Sequence, residues 1–138
     1  PQSGVSGNPA GSGWVQWAGY DTTSTYIEGS LPANNVVVVR PNQYEAGRAN
    51  IAIYNWRNQA TVSVDVSNAG FVDGDPYEVR DVQNYFGAPV TTGIYDTGSP
   101  IVQIPMGTSS SAVAPPTGSP FTPAHTDREF GVFVVKKR

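Results

Sequence analysis

Hydrophobic and polar positions alternate with a period of two along much of the chain. In TVSVDV (61–66), Val62, Val64 and Val66 fall on one face and Thr61, Ser63 and Asp65 on the other. NIAIYNW (50–56) repeats the pattern, with Ile51, Ile53 and Asn55 on one face and Ala52, Tyr54 and Trp56 on the other. The polar turn RNQ (57–59) separates these two runs, and the pair predicts a β-hairpin. YEVRDV (77–82) sets Tyr77, Val79 and Asp81 against Glu78, Arg80 and Val82. VTTGIYD (90–96) and PIVQIPM (100–106) read as two shorter strands around Thr97-Gly98-Ser99. EFGVFVV (129–135) places Phe130, Val132 and Val134 opposite Gly131, Phe133 and Val135. VVVVR (36–40) departs from alternation. A continuous β-branched run predicts a strand buried on both faces or central in its sheet.

No segment carries a helical period. About seven to eight short strands with turn signals between them predict an all-β fold, an antiparallel β-sandwich of jelly-roll or immunoglobulin-like type. Residues 14–138 read as a single β-sandwich domain. Residues 1–13 (PQSGVSGNPAGSG) read as a linker-like arm with little to bury. Residues 107–124 form a long Pro- and Ser-rich loop, a length expected only where a loop carries function or packs on a surface.

Composition narrows the function. Glycine and proline supply 27 of 138 residues and charged residues only 14%, which disfavours helix and suits short strands and turns. Cysteine is absent, so there is neither a disulfide framework nor thiolate chemistry. A net charge of −3 argues against nucleic acid as partner. The terminal Lys136, Lys137 and Arg138 read as a solvated tail. No apolar run is long enough to span a bilayer, so no membrane partner is expected. Pro1 is not a natural start, so the sequence reads as a processed product or a piece of something longer.

Support for catalysis is thin. The one histidine, His125, lies near Asp127 and Glu129, but no serine sits in a nucleophile-elbow context. A loop histidine bonding backbone or water is the plainer account, and no enzyme is expected. Zinc is improbable with one His and no Cys. Calcium is the one candidate cofactor, with Asp73, Asp75 and Glu78 as oxygen donors, although an Asp/Gly turn explains DGDP more simply.

The aromatic residues are more informative. Of fifteen, twelve lie between residues 14 and 95. Flat rings stack against sugar faces, and neighbouring amides and cations bond the hydroxyls. Trp56 and Tyr54 share a strand face, with Asn55, Arg57 and Asn58 beside them. Trp14, Trp17 and Tyr20 form a second group in GWVQWAGY (13–20). In an extended chain Trp14 and Trp17 face opposite sides, so Trp14 is expected to anchor the segment and Trp17, with Tyr20, to face solvent.

The segments RPNQYEAGRANIAIYNWRNQATVSVDVS, GDPYEVRDVQNYFG, IVQIPM and EFGVFVV together resemble the small C-terminal β-sandwich domains that follow catalytic domains in secreted bacterial polysaccharide-active enzymes. The resemblance covers about 100 of 138 residues, begins at Val36 and carries over no binding residue. It implies an extracellular, non-catalytic, carbohydrate-binding accessory module. Its partners would be a plant-type polysaccharide such as β-glucan, xyloglucan or xylan, and a covalently linked catalytic domain. Two alternatives stand beside it. One is a self-assembling subunit of an extracellular filament or surface layer, associating through residues 1–13. The other is a purely stabilising domain that binds no sugar.

Overall fold

A computed structural model describes residues 32–107, 113–126 and 128–138. The arm 1–13, the remainder up to residue 31 with Trp14, Trp17 and Tyr20, and also Asp127, lie outside the described residues. Seven strands follow in order: β1 Val36–Pro41, β2 Arg48–Tyr54, β3 Thr61–Asp65, β4 Pro76–Asp81, β5 Thr91–Ile94, β6 Ile101–Pro105 and β7 Phe130–Lys137. All fall within Ala33–Arg138, and every pairing is antiparallel. Five form one sheet in the order β1-β2-β7-β4-β5, and β3 and β6 form a second. The expected all-β sandwich is present, with no α-helix among the described residues and two 3₁₀ turns, Ser67–Ala69 and Val82–Asn84.

The alternating positions close the core between the sheets. Ala49, Ile51 and Ile53 of β2 and Phe133 and Val135 of β7 face Val62 and Val64 of β3 and Val102 and Ile104 of β6, all buried. On the flank where β5 and β6 meet, Thr91 Oγ1 donates to the Gln103 carbonyl at 3.0 Å.

Three expectations are corrected. The runs 50–56 and 61–66 do not form a hairpin: β2 pairs with β1 and β7, β3 pairs with β6, and residues 55–60 cross between the sheets. Asn55 fixes the crossing. Its buried side chain donates to the carbonyls of Gln59 and Arg128, both at 2.8 Å, and accepts from the Gln59 amide at 3.1 Å. The turn itself closes by the Asn58 amide donating to the Asn55 carbonyl at 2.8 Å, with Asn58 left-handed at φ 51°, a conformation asparagine tolerates.

The β1 run is an edge strand, not a central one. It is apolar on both sides because Val37 and Val39 pack on the core, while Val36 and Val38 sit on a sheet face that is itself apolar at this end. Pro41, aligned with Ala49, removes one donor from the open edge. The basic terminus is not a loose tail. Lys136 and Lys137 are the last residues of β7, paired with Glu78 at 3.1 Å and Asp75 at 2.6 Å, and the Arg138 amide donates to the Pro76 carbonyl.

Candidate functional site

Side chains on the outer face of the five-stranded sheet follow from the register. Val36, Tyr54 and Phe130 lie in one row across β1, β2 and β7. Val38, Ala52 and Val132 form the next. Arg40, Asn50, Val134 and Arg80 form a third across four strands. Arg48, Lys136 and Glu78 form a fourth.

The first row carries an aromatic cluster. Tyr54 stacks on Trp56 with centroids 6.2 Å apart and planes 20° from parallel, and it meets Phe130 at 5.2 Å. Tyr54 is exposed, Trp56 and Phe130 half-buried. Trp56 continues outward past the end of β2 because Asn55, between the two rings, turns its amide into the core. Asn55 therefore stands apart from the ring surface with its polar atoms committed to backbone, which corrects its place among the candidate ligand groups. Arg57 and Asn58 are exposed at the crossing turn, where the Arg57 amide donates to Asn35 Oδ1 at 2.8 Å.

A second aromatic pair belongs to the turn after β4. Tyr85 and Phe86 meet edge to face at 5.3 Å, and Phe86 is 93% exposed. Arg80 braces this turn from the sheet. Its Nη1 donates to the carbonyls of Tyr85 at 2.9 Å and Gly87 at 2.7 Å, the two residues that flank Phe86, and its guanidinium carbon lies 6.0 Å from the Tyr85 ring centre. Glu78 holds the other side of that guanidinium, with Nε to Oε1 at 2.7 Å and Nη2 to Oε2 at 3.2 Å. The Arg80 bond, with help from Lys136, draws the Glu78 carboxyl from its usual 4.5 down to about 2 against the opposing effect of burial. Arg48 is held in its charged form by Glu45 foremost, bonded at 2.9 Å, and then by Tyr85.

The three calcium candidates do not converge. Asp73 accepts from the Thr97 amide at 2.9 Å, Asp75 from the Val72 amide at 2.7 Å while pairing with Lys137, and Glu78 lies on the outer face. No cluster of three metal-ligating side chains occurs among the described residues. DGDP is a turn, with Gly74 at φ 84° and the Asp75 amide donating to the Val72 carbonyl. His125 takes a partner the sequence did not point to, Asp81 at the end of β4, with Nε2 to Oδ2 at 2.6 Å. Its Nδ1 faces the Thr126 carbonyl at 2.5 Å. Both ring nitrogens are thus engaged, one by a carboxylate and one by a backbone carbonyl. Gln83 completes this clasp by accepting from the Thr126 amide and hydroxyl, each at 2.8 Å.

Sequence reasoning passed over Phe130, Phe86, Arg40 and Asn50 as site residues. Phe130 was hidden because both faces of EFGVFVV are apolar, so alternation alone did not say which side meets solvent. Arg40 had a signal, since it is the polar end of the otherwise apolar run VVVVR. Compared with known proteins, the chain matches no family model, no curated protein and no solved structure.

Proposed function

We propose that the chain is a non-catalytic carbohydrate-binding module of a secreted polysaccharide-degrading protein, and that it binds glycan on the outer face of its five-stranded sheet. One observation carries the reading. Tyr54 meets both Trp56 and Phe130 on a solvent-facing sheet surface, and the exposed polar residues Arg40 and Asn50 stand two rows away on the same face. Rings supply stacking area and the polar row bonds hydroxyls, the usual division of labour in a ligand site. The resemblance to accessory domains of polysaccharide-active enzymes supports the same reading.

Affinity gels cast with β-glucan, xyloglucan or xylan test it. The protein is expected to be retarded by at least one, and Trp56→Ala and Tyr54→Ala are expected to abolish the retardation. Retardation unchanged in both variants overturns the site.

A second reading rests on Val36, Val38, Ala52 and Val132, which continue the ring cluster as a wholly apolar strip. Such a strip suits packing against a linked domain. In that case Trp56→Ala lowers the stability of the longer protein and leaves glycan retention untouched.

A further inference from the structure

We infer that the glycan bound by this face is acidic, a polyuronate whose carboxylates lie on the arginine rows while its sugar rings stack on the aromatic cluster. The inference rests on the carbohydrate-binding reading and names its ligand class.

The charge distribution carries it. The protein is net negative at −3. Among the described residues its outer sheet face is the reverse: Arg40, Arg48, Arg80 and Lys136 stand against Glu45 and Glu78. The two anions are also the less visible partners where it matters. The Glu78 side chain is only 8% exposed, beneath Arg80 at 20% and Lys136 at 29%, so solvent meets the cationic side of the trio. Arg40 is exposed and has no ion-pair partner among the described residues. The other described acids lie elsewhere: Asp65 on β3, Asp73, Asp75 and Asp96 in turns, Asp81 against His125, and Glu129 before β7.

Geometry fits a chain with a charge on each sugar. Arg40 and Arg80 occupy the same row three strand spacings apart, about 14 Å between backbones. Arg48 and Lys136 run parallel to them in the next row. The exposed Arg40 guanidinium can take a carboxylate through paired hydrogen bonds, whereas Arg80, committed to Glu78 and to the Tyr85 and Gly87 carbonyls, adds charge alone. Single-stranded nucleic acid also combines stacking with negative charge, but a net-negative protein with so few cations is poorly suited to it.

The test compares polygalacturonate with its fully methyl-esterified form, which keeps the backbone and removes the charge. Xyloglucan, dextran sulfate and an oligothymidylate serve as further probes of the full chain. Polygalacturonate is expected to bind at least about tenfold more tightly than the ester, and binding is expected to weaken as salt rises from about 50 to about 300 mM. Arg40→Gln is expected to lower polygalacturonate affinity about two- to fivefold and to flatten its salt dependence, which loss of an uncharged contact would not do. Unaltered tryptophan fluorescence would show that this variant is folded. Equal binding of the ester and the acid overturns the inference while leaving the carbohydrate-binding reading intact. Equal binding of dextran sulfate reduces the face to a general anion surface and also overturns it. Retention of the oligothymidylate with no glycan bound overturns both.

Discussion

Replacing Asn55 tests whether one buried amide holds the crossing between the sheets. In Asn55→Ala, the Gln59 amide and the Gln59 and Arg128 carbonyls lose their side-chain partner. A buried hydrogen bond contributes about 0.5–1.5 kcal/mol net, so three place the cost near 3 kcal/mol. The site sits at the exposed Gln59, where water can reach part of the gap, so about 2–4 kcal/mol is the working range. Asn55→Asp is the sharper variant. It keeps the acceptor for the Gln59 amide but aims a carboxylate oxygen at two carbonyls. The charged form is then disfavoured by burial, which raises its folded pKa above the unfolded one. Its stability is therefore best below about pH 4 and falls as the pH rises through the raised value. Urea unfolding at two pH values reads both variants. With a slope of about 1–2 kcal/mol/M, a 3 kcal/mol loss lowers the midpoint by roughly 1.5–3 M. An Asn55→Ala loss within about 0.5 kcal/mol of an Arg57→Ala control would refute the reasoning, as would an Asn55→Asp variant equally stable at both pH values.

Three further outcomes follow from named contacts. Glu78, held at about 2, contributes stability that is complete above its ordinary 4.5 and is lost as pH falls through about 2. Acid titration of wild type is expected to show that slope and Glu78→Gln to lack it, with a loss of about 2 kcal/mol at neutral pH. Gly131 lies opposite Ile53, and a Cβ there would stand 2.6 Å from the Phe133 ring and 3.2 Å from the Met106 methyl. Gly131→Ala is expected to cost about 1–3 kcal/mol by overpacking, read as a lower melting temperature. Gln83→Ala removes the bonds to Thr126 and the weaker one to Ala124. Proteolysis within residues 113–126 is expected to accelerate severalfold while the sheets remain folded.

The strands were legible because each half-buried strand writes its two faces into alternate residues. Val62, Val64 and Val66 are buried as their spacing says, and so are Ile51 and Ile53. Pairing was not legible. A connector of a few polar residues serves equally for a hairpin within one sheet and a crossing between two, and the choice here belongs to Asn55, whose bond to Arg128 spans 73 positions. The valines of β1 misled for a related reason. Apolar residues on both faces signal burial, but here they signal an outer face with its own apolar end. The site was half legible. Tyr54 and Trp56 share a face because of their spacing, whereas Phe130 joins them only through the β2–β7 register. The pairing of His125 with Asp81 depends on how a long loop settles against a distant strand end, which local pattern does not encode.

The place of β7 in the sheet has a kinetic meaning. It lies between β2 and β4, yet it is made after the other four strands of that sheet. Until residues 130–137 have been synthesised, the five-stranded sheet exists only as two separate hairpins, β1–β2 and β4–β5, each with a bare inner edge. Closing it joins Ile51 to Phe133 and Ala49 to Val135, contacts more than eighty positions apart. Such contacts demand loop closure before they return any stabilisation, so folding is slow and its decisive step follows translation of the last strand. Through that interval the aromatic row is also unmade, since Phe130 arrives with the strand that completes it.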